Sequence, residues 1–281
     1  MCEFCTKYGE GEKWYLRAQN YSEDLLSDLR RRKFILDFFE DPDKLGQDVD
    51  KIDDLNKLPS FVRSVVKSRL IKRFKRDHYG QVVPIEEVEQ IFKFVTSVIR
   101  LPCICRQATV GTEQRYCYGI SMVPTQKSQM AEMLNSLGAD YLSGPHTSGL
   151  EALSKEEALE QIRRLEHKSL FHSVWTFVAP FIGGICNCDL DCLAMRLTSI
   201  KSFPVMFRAE YVAVTEPELC NGCRHCMHSC QFGAIRYSLA QGKIDIDPLR
   251  CYGCGICRAT CSEKAILLKD RCQVPVAAGI W

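Results

Sequence analysis

Two stretches near the C-terminus carry four cysteines each at one spacing, C-x2-C-x2-C-x3-C: Cys220, Cys223, Cys226 and Cys230, then Cys251, Cys254, Cys257 and Cys261. The second run repeats the first after 31 residues, and Gly222, Ala234 and Ile235 recur as Gly253, Ala265 and Ile266 at the same displacement, so a whole unit is duplicated. Thiolates are ligands for soft metal centres, and an iron–sulfur cubane needs four of them at tetrahedral corners. Three closely spaced cysteines on a wrapping loop supply three corners, and the fourth must approach from elsewhere. A zinc module would instead pair two C-x2-C units across a longer loop and close with four ligands. Two complete runs in duplicate fit that poorly.

Residues 211–269 resemble the bacterial two-cluster 4Fe–4S ferredoxins, whose fold is a pseudo-twofold pair of hairpins and helices. The resemblance implies that the fourth cysteine of each run ligates the other cluster. One cubane would then take Cys220, Cys223, Cys226 and Cys261, and the other Cys251, Cys254, Cys257 and Cys230. That family usually has proline directly after the fourth cysteine, whereas Gln231 and Ser262 stand there in this chain. The change loosens the turn without removing a ligand. Gly222, Gly253 and Gly255 allow loop conformations closed to larger residues. Arg224, His225 and His228 in the first run face Gly255, Ile256 and Ala259 in the second, with Arg258 opposite Met227 as a partial offset. This predicts the higher potential for the first-run cluster.

Nine of the 17 cysteines remain: Cys2, Cys5, Cys103, Cys105, Cys117, Cys186, Cys188, Cys192 and Cys272. Two pairs are C-x-C, Cys103–Cys105 and Cys186–Cys188. In extended chain, residues i and i+2 point the same way, so both thiolates of such a pair can grip one centre. Cys192 is expected in the first turn of a helix capped by Asp189, where exposed N–H groups favour the thiolate. The pattern from Leu101 to Arg106, then Cys117, then Ile185 to Cys188, resembles the upstream half of larger cytoplasmic iron–sulfur proteins that end in a two-cluster ferredoxin. We expect a third cluster among Cys103, Cys105, Cys117, Cys186, Cys188 and Cys192. Adding Cys2 and Cys5 gives eight thiols, the number two further cubanes need, so a fourth cluster is the extended count. Cys2 and Cys5 read equally as half of a zinc site, and buried inert thiols are the plain alternative for several of the nine. Cys272 reads as a free thiol. His146 and His172, near these cysteines in sequence, read as ordinary polar residues.

The elements that must position these groups read as α+β. Residues 13–40 show helical spacing, and a helix is expected from Pro59 to about Asp77, with Phe61, Val62, Val65, Val66, Leu70, Ile71 and Phe74 inward and a basic outer face. Another should start at Pro84 and run to near Arg100. Ser154 to Glu157 is a capping box opening a helix to about Lys168, followed by an extended stretch from Phe171 to Ile185 and a strand from Val205 to Val214. The expected organisation is a helical N-terminal region over 1–83, a central, mainly helical region over 84–203 holding the extra cysteines, and the two-cluster ferredoxin domain with its tail over 204–281.

Net charge of +2 argues against bulk nucleic-acid binding, and the basic helix lacks interleaved aromatics, so it reads as a solvated face or a dock for an acidic redox partner. The N-terminus has no signal-peptide pattern, the longest apolar window is too short to span a membrane, and a cysteine-rich chain in a reducing compartment is expected to bind metal. No glycine-rich phosphate loop, Ser-His-Asp set or H-E-x-x-H motif is present. The chain thus reads as a soluble, cytoplasmic, anaerobic iron–sulfur protein, a subunit passing single electrons to or from a larger oxidoreductase rather than a catalytic chain. The alternatives are a reductase whose substrate site is the cluster of the central cysteines, and a redox-sensing regulatory module.

Overall fold

The computed structural model describes residues 2–143 and 149–281. His146 lies outside them. In chain order the helices are α1 (Glu3–Tyr8), α2 (Leu29–Glu40), α3 (Pro42–Asp50), α4 (Ser60–Asp77), α5 (Ile85–Phe94), α6 (Ile104–Val110), α7 (Gln129–Ser136), α8 (Asp140–Ser143), α9 (Lys155–His167), α10 (Leu193–Ser199), α11 (His225–Ser229) and α12 (Ile256–Ala259). The strands are β1 (Gly80–Val83), β2 (Ser97–Leu101), β3 (Cys117–Ser121), β4 (Glu151–Leu153), β5 (Phe171–Thr176), β6 (Ile182–Cys188), β7 (Met206–Phe207), β8 (Tyr211–Thr215), β9 (Ile235–Ser238), β10 (Lys243–Ile246) and β11 (Ile266–Asp270).

Seven strands form one sheet in the order β4-β2-β3-β6-β5-β1-β7, antiparallel except where β7 lies parallel to β1. The fold is therefore α+β; residues 84–203 hold more helix than strand, and they also supply five of the seven strands of the large sheet. β5, buried along its whole length, and part of β6 fall in the stretch expected to be extended, whereas β2, β3 and β4 span five, five and three residues, too few to show a period.

Alternation survives in the packing. Val83, Val174 and Ile185 enter one core with α5 and α9, while their neighbours Val82, Trp175 and Cys186 enter another on the opposite face. Helix starts follow side-chain capping. Asp28 accepts the N–H groups of Arg30 and Arg31 at α2, Asp41 those of Asp43 and Lys44 at α3, and the Ser154–Glu157 capping box opens α9.

Other expectations shift. Short 3-10 turns occupy much of 14–27, so the helix in 13–40 begins only at Leu29. The helix from residue 85 stops at Phe94, and 97–101 is strand. α4 has the expected bounds, but Phe61 is 77% exposed and Val62 and Val65 also face solvent; Leu70, Ile71 and Phe74 do pack inward. The Val205–Val214 strand is broken into β7 and β8.

The C-terminal part is a duplicated unit. β8 pairs with β11 and β9 with β10, each in an antiparallel two-stranded sheet, with α11 and α12 following the two cysteine loops. The two halves of the chain are packed together: β7 completes the large sheet, Gln231 Nε2 donates to the Ser169 carbonyl, and Phe171 contacts Phe232, which stacks on Tyr252 at 4.0 Å.

Candidate metal centres

The duplicated loops hold their cysteines by backbone conformation. Gly222 and Gly253 have φ of 73° and 71°, and a Cβ on either would lie 2.1 Å from a carbonyl oxygen, that of Gly242 or Tyr211 respectively. Two residues on, the copies diverge: Gly255 has φ 85°, and Arg224 takes the same left-handed region at 67°. That strain is small for a single turn residue but real for arginine.

Each group of four draws three cysteines from one run and one from the other. Cys226 lies with Cys220, Cys223 and Cys261; burial first, then these three sulfurs, push its thiol up to about 11. A small enclosed cavity is lined by Cys230, Cys251, Cys254 and Cys257. Burial, followed by the neighbouring sulfurs, raises Cys254 and Cys257 well above the ordinary thiol range. Backbone N–H groups already aim at the sulfurs: those of Ala213 and Gly253 lie 3.3 Å from Cys251 Sγ, and that of Ala234 lies 3.3 Å from Cys230 Sγ. Buried thiols with amide donors and no other strong partner suit a metal, which takes the proton's place and makes affinity pH-dependent. The first group is the more open, with Cys223 exposed.

Arg271 is the residue that the sequence pattern did not flag. It is fully buried, donates to the carbonyls of Ala209 (2.8 Å), Tyr211 (2.8 Å) and Cys251 (3.1 Å), and packs under Trp281. Burial pulls its proton affinity down, to about 10, with Cys251 opposing, so it stays cationic at neutral pH. By contrast Arg224, His225 and His228 are exposed, and Arg258 is ion-paired with Glu86. The fixed charge most enclosed by protein therefore stands beside the second run, not the first.

Upstream, the six central cysteines converge. Cys103, Cys105, Cys117, Cys186, Cys188 and Cys192 all line one cavity of about 280 Å³ against the sheet, under α2, α3, α7 and α10. β3 and β6 set Cys117 opposite Cys186, and Cys103 Sγ lies 3.2 Å from Cys117 Sγ. Cys186 and Cys188 sit on extended chain in β6, as the C-x-C argument requires. Cys103 and Cys105 do not: Cys103 is the N-cap of α6 and Cys105 lies inside it, so helix geometry delivers that pair. Cys192, likewise, is itself the N-cap of α10; Asp189 instead accepts the N–H of Asp191. A hydrogen bond from Cys117 draws the Cys186 thiol down, but burial and neighbouring sulfurs lift it to about 12; burial and Cys192 lift Cys105 to about 12 as well.

Arg106 reaches into this group. It is fully buried, with Nη1 3.6 Å from Cys103 Sγ, Nη2 2.8 Å from Asp189 Oδ1, and its guanidinium over Tyr116. Burial lowers its proton affinity, but Cys192, Cys103, Cys188 and Asp189 outweigh that and raise it overall, so it stays charged. The Tyr116 N–H donates to Cys103 Sγ at 3.1 Å. His172 stays apart, bonded through Nδ1 to Asn187 Oδ1 at 2.6 Å; residues 172 and 187 face away from the cysteine side of the sheet, and burial pushes the imidazole down to about 4. The cavity wall beyond the sulfurs is apolar, with Phe34, Phe38, Trp175 and Phe177 around His78.

Residues 219–266 match the family model of the 4Fe-4S dicluster domain. The C-terminal part is a 4Fe–4S ferredoxin-like domain. Such a domain implies 4Fe–4S clusters and supports iron–sulfur electron transfer. Neither a curated protein nor a solved structure matches the chain. Among the described residues no helix is long and apolar enough to cross a membrane.

Proposed function

We propose that this protein carries single electrons along three clusters in series and exchanges them with a larger oxidoreductase. Two cubanes sit in the ferredoxin-like domain, one on Cys220, Cys223, Cys226 and Cys261, the other on Cys251, Cys254, Cys257 and Cys230. The third sits in the six-cysteine cavity. The observation that carries the reading is one continuous apolar core: Cys188 and Cys192, with Cys105 and Cys186 at its edge, share it with Ile256, Tyr252 and Cys254 through Phe171 and Phe232. The apolar cluster runs unbroken from the second-run site to the central one, while Cys223 is exposed at the first-run site. Residues 204–281 carry the ferredoxin unit, residues 84–203 most of the sheet and the cavity, and residues 1–83 its cover. The test is anaerobic iron and acid-labile sulfide analysis with EPR-monitored redox titration of the full chain. Three spin systems, with magnetic coupling between two of them, are expected; zinc in place of iron in the C-terminal runs would refute the reading.

A second reading has one specific observation in its favour. Six thiols exceed the four that a cubane takes, and the same cavity has an apolar, aromatic wall beyond the sulfurs, as small-molecule sites do. On this reading an iron without a cysteine ligand binds substrate and the ferredoxin-like domain feeds it. Cyanide or carbon monoxide added to the reduced protein distinguishes the two: a shifted EPR signal from the central cluster alone supports a substrate site, and unchanged signals support pure electron transfer.

A further inference from the structure

Cys2, Cys5 and Glu210 meet inside the protein, across the Arg271 seam from the Cys251 loop. We propose that they form a mononuclear zinc site that fixes the N-terminus to the base of β8. Their ligand atoms all lie within 4.8 Å of one another, and the residues are 1%, 0% and 7% exposed. Cys2 caps α1 and its Sγ accepts the Cys5 N–H at 3.4 Å; the two sulfurs are 3.1 Å apart. Glu210, 205 residues further on, places Oε1 2.9 Å from Cys5 Sγ.

Two features point to a cation, and a third shapes the loop that would hold it. The Glu210 carboxylate is buried, and although buried Arg271 interacts with it electrostatically it forms no ion pair with a described side chain, a costly state for a carboxylate. The hydroxyls of Tyr15 and Tyr79, in the same core as the two cysteines, are buried without a hydrogen-bond partner. The turn that follows α1 is built without tolerance: a Cβ on Gly9 would lie 2.2 Å from the Glu12 carbonyl oxygen and 2.7 Å from that of Cys5, so the chain must fold back over the cysteines.

Donor type selects the ion. Two thiolates exclude calcium and magnesium, while the carboxylate is an ordinary zinc ligand. A cubane does not fit, since only two thiolates converge here, fewer than even a cubane with one iron free of cysteine would take. Zn–S bonds of about 2.3 Å in a tetrahedron set sulfurs about 3.8 Å apart, so the pair opens slightly on binding. Two thiolates and one carboxylate against a divalent ion leave a single negative charge. The fourth position falls to water, for which the orphaned phenols are hydrogen-bond partners.

The experiment is metal analysis of the full chain purified anaerobically, with zinc, iron and acid-labile sulfide measured together. One zinc per chain is expected in addition to the cluster iron. Cys5→Ser and Glu210→Gln should each lower zinc affinity by more than the about 10–100-fold that loss of an outer-shell partner costs, with iron, sulfide and the EPR signals unchanged. Cobalt added in place of zinc should give a thiolate-to-cobalt absorption band that Cys5→Ser removes. If Cys5→Ser does not fold, Glu210→Gln carries the test, because it keeps shape and hydrogen bonding. No zinc at full iron content would overturn the proposal. So would iron and sulfide falling together in either variant, which would place these residues on an iron–sulfur cluster.

Discussion

Removing the charge of Arg271 is the sharpest test of how this protein sets the potential of its inner ferredoxin cluster. A reduced cubane carries one more negative charge than the oxidised form, and a nearby cation favours it. Arg271 donates to the Cys251 carbonyl and is fully buried, so neither salt nor water screens it well. At about 8 Å and an effective dielectric of about 20, one charge contributes roughly 2 kcal/mol. A tenfold change in a one-electron equilibrium is about 59 mV, so Arg271→Gln should lower the midpoint of the Cys251, Cys254, Cys257 and Cys230 cluster by roughly 90 mV. The first-run cluster should move by less than half as much, being farther away. Arg271→Lys keeps the charge and is the control, since both substitutions disturb the three backbone contacts. The assay is EPR-monitored titration of the anaerobic protein, with spin integration to show that both clusters remain. If Lys shifts the midpoint as far as Gln does, geometry and not charge is responsible; if both clusters shift together, the assignment of Arg271 to one of them is wrong. The same charge argument reverses the order expected from Arg224, His225 and His228, which are exposed: the second-run cluster should now be the higher of the two.

Four further outcomes are expected. Cys230→Ala should damage the cluster of the second run and spare that of its own run, read by EPR; loss of the local cluster would refute the crossed arrangement. The full chain should bind about twelve irons, four per cubane, and a combined Cys117→Ala, Cys186→Ala variant about eight, read by anaerobic iron and sulfide analysis. Glu166, buried on α9 and pushed up to about 7 by burial and by Glu86, should cost stability as pH rises. Its folded value lies above the unfolded one, so its contribution is intact below about pH 4.5 and is lost as pH climbs through 7; Glu166→Gln should therefore stabilise by up to about 3 kcal/mol at pH 8 and by little at pH 4.5, in urea titrations. A fragment of residues 203–281 should reconstitute two clusters but lose them to oxygen faster than the full chain, because Phe203, Val205, Phe207 and Ala209 are buried against upstream elements that the fragment lacks.

What was legible in the sequence was local. Runs of cysteine at fixed spacing, a capping box at Ser154 and a basic helix ending at Asp77 each declare themselves within a few residues. The sheet was legible only in part: β5 and part of β6 fall in the stretch expected to be extended, but β2, β3 and β4, of five, five and three residues, are too short to show a period. The central thiols were visible as residues but not as one chamber. Cys103 and Cys105 come from a helix start, Cys192 from another, and Cys117 and Cys186 from strands whose register sets them opposite each other, so only the tertiary fold brings them together. Glu210 and Arg271 were illegible for a related reason: their partners, Cys5 for one and the Cys251 loop for the other, lie far along the chain, and a single buried charge has no sequence pattern.

Those two residues also explain why the ferredoxin-like unit is built into the chain rather than appended to it. Glu210 and Arg271 lie on the same seam, where the Arg271 N–H donates to the Glu210 carbonyl at 2.8 Å. On one side of that seam Glu210 reaches Cys5 and Lys13 bonds both Glu87 and Tyr211; on the other, Arg271 holds the loop of Cys251. A detachable electron carrier needs no such contacts, since its eight cysteines complete its own clusters. Fixing the inner cluster against the large sheet instead removes the freedom to tumble between partners, and in return holds Cys254 at a constant position relative to the six-cysteine cavity. On the proposed reading, electron transfer between the two centres would need no encounter step, and the exposed Cys223 would mark the side that meets a separate protein. Loosening the seam by Lys13→Ala should accordingly leave the cluster content of the full chain intact while slowing the reoxidation of the central cluster through the ferredoxin-like domain, in freeze-quench EPR; an unchanged rate would mean that the seam serves stability alone.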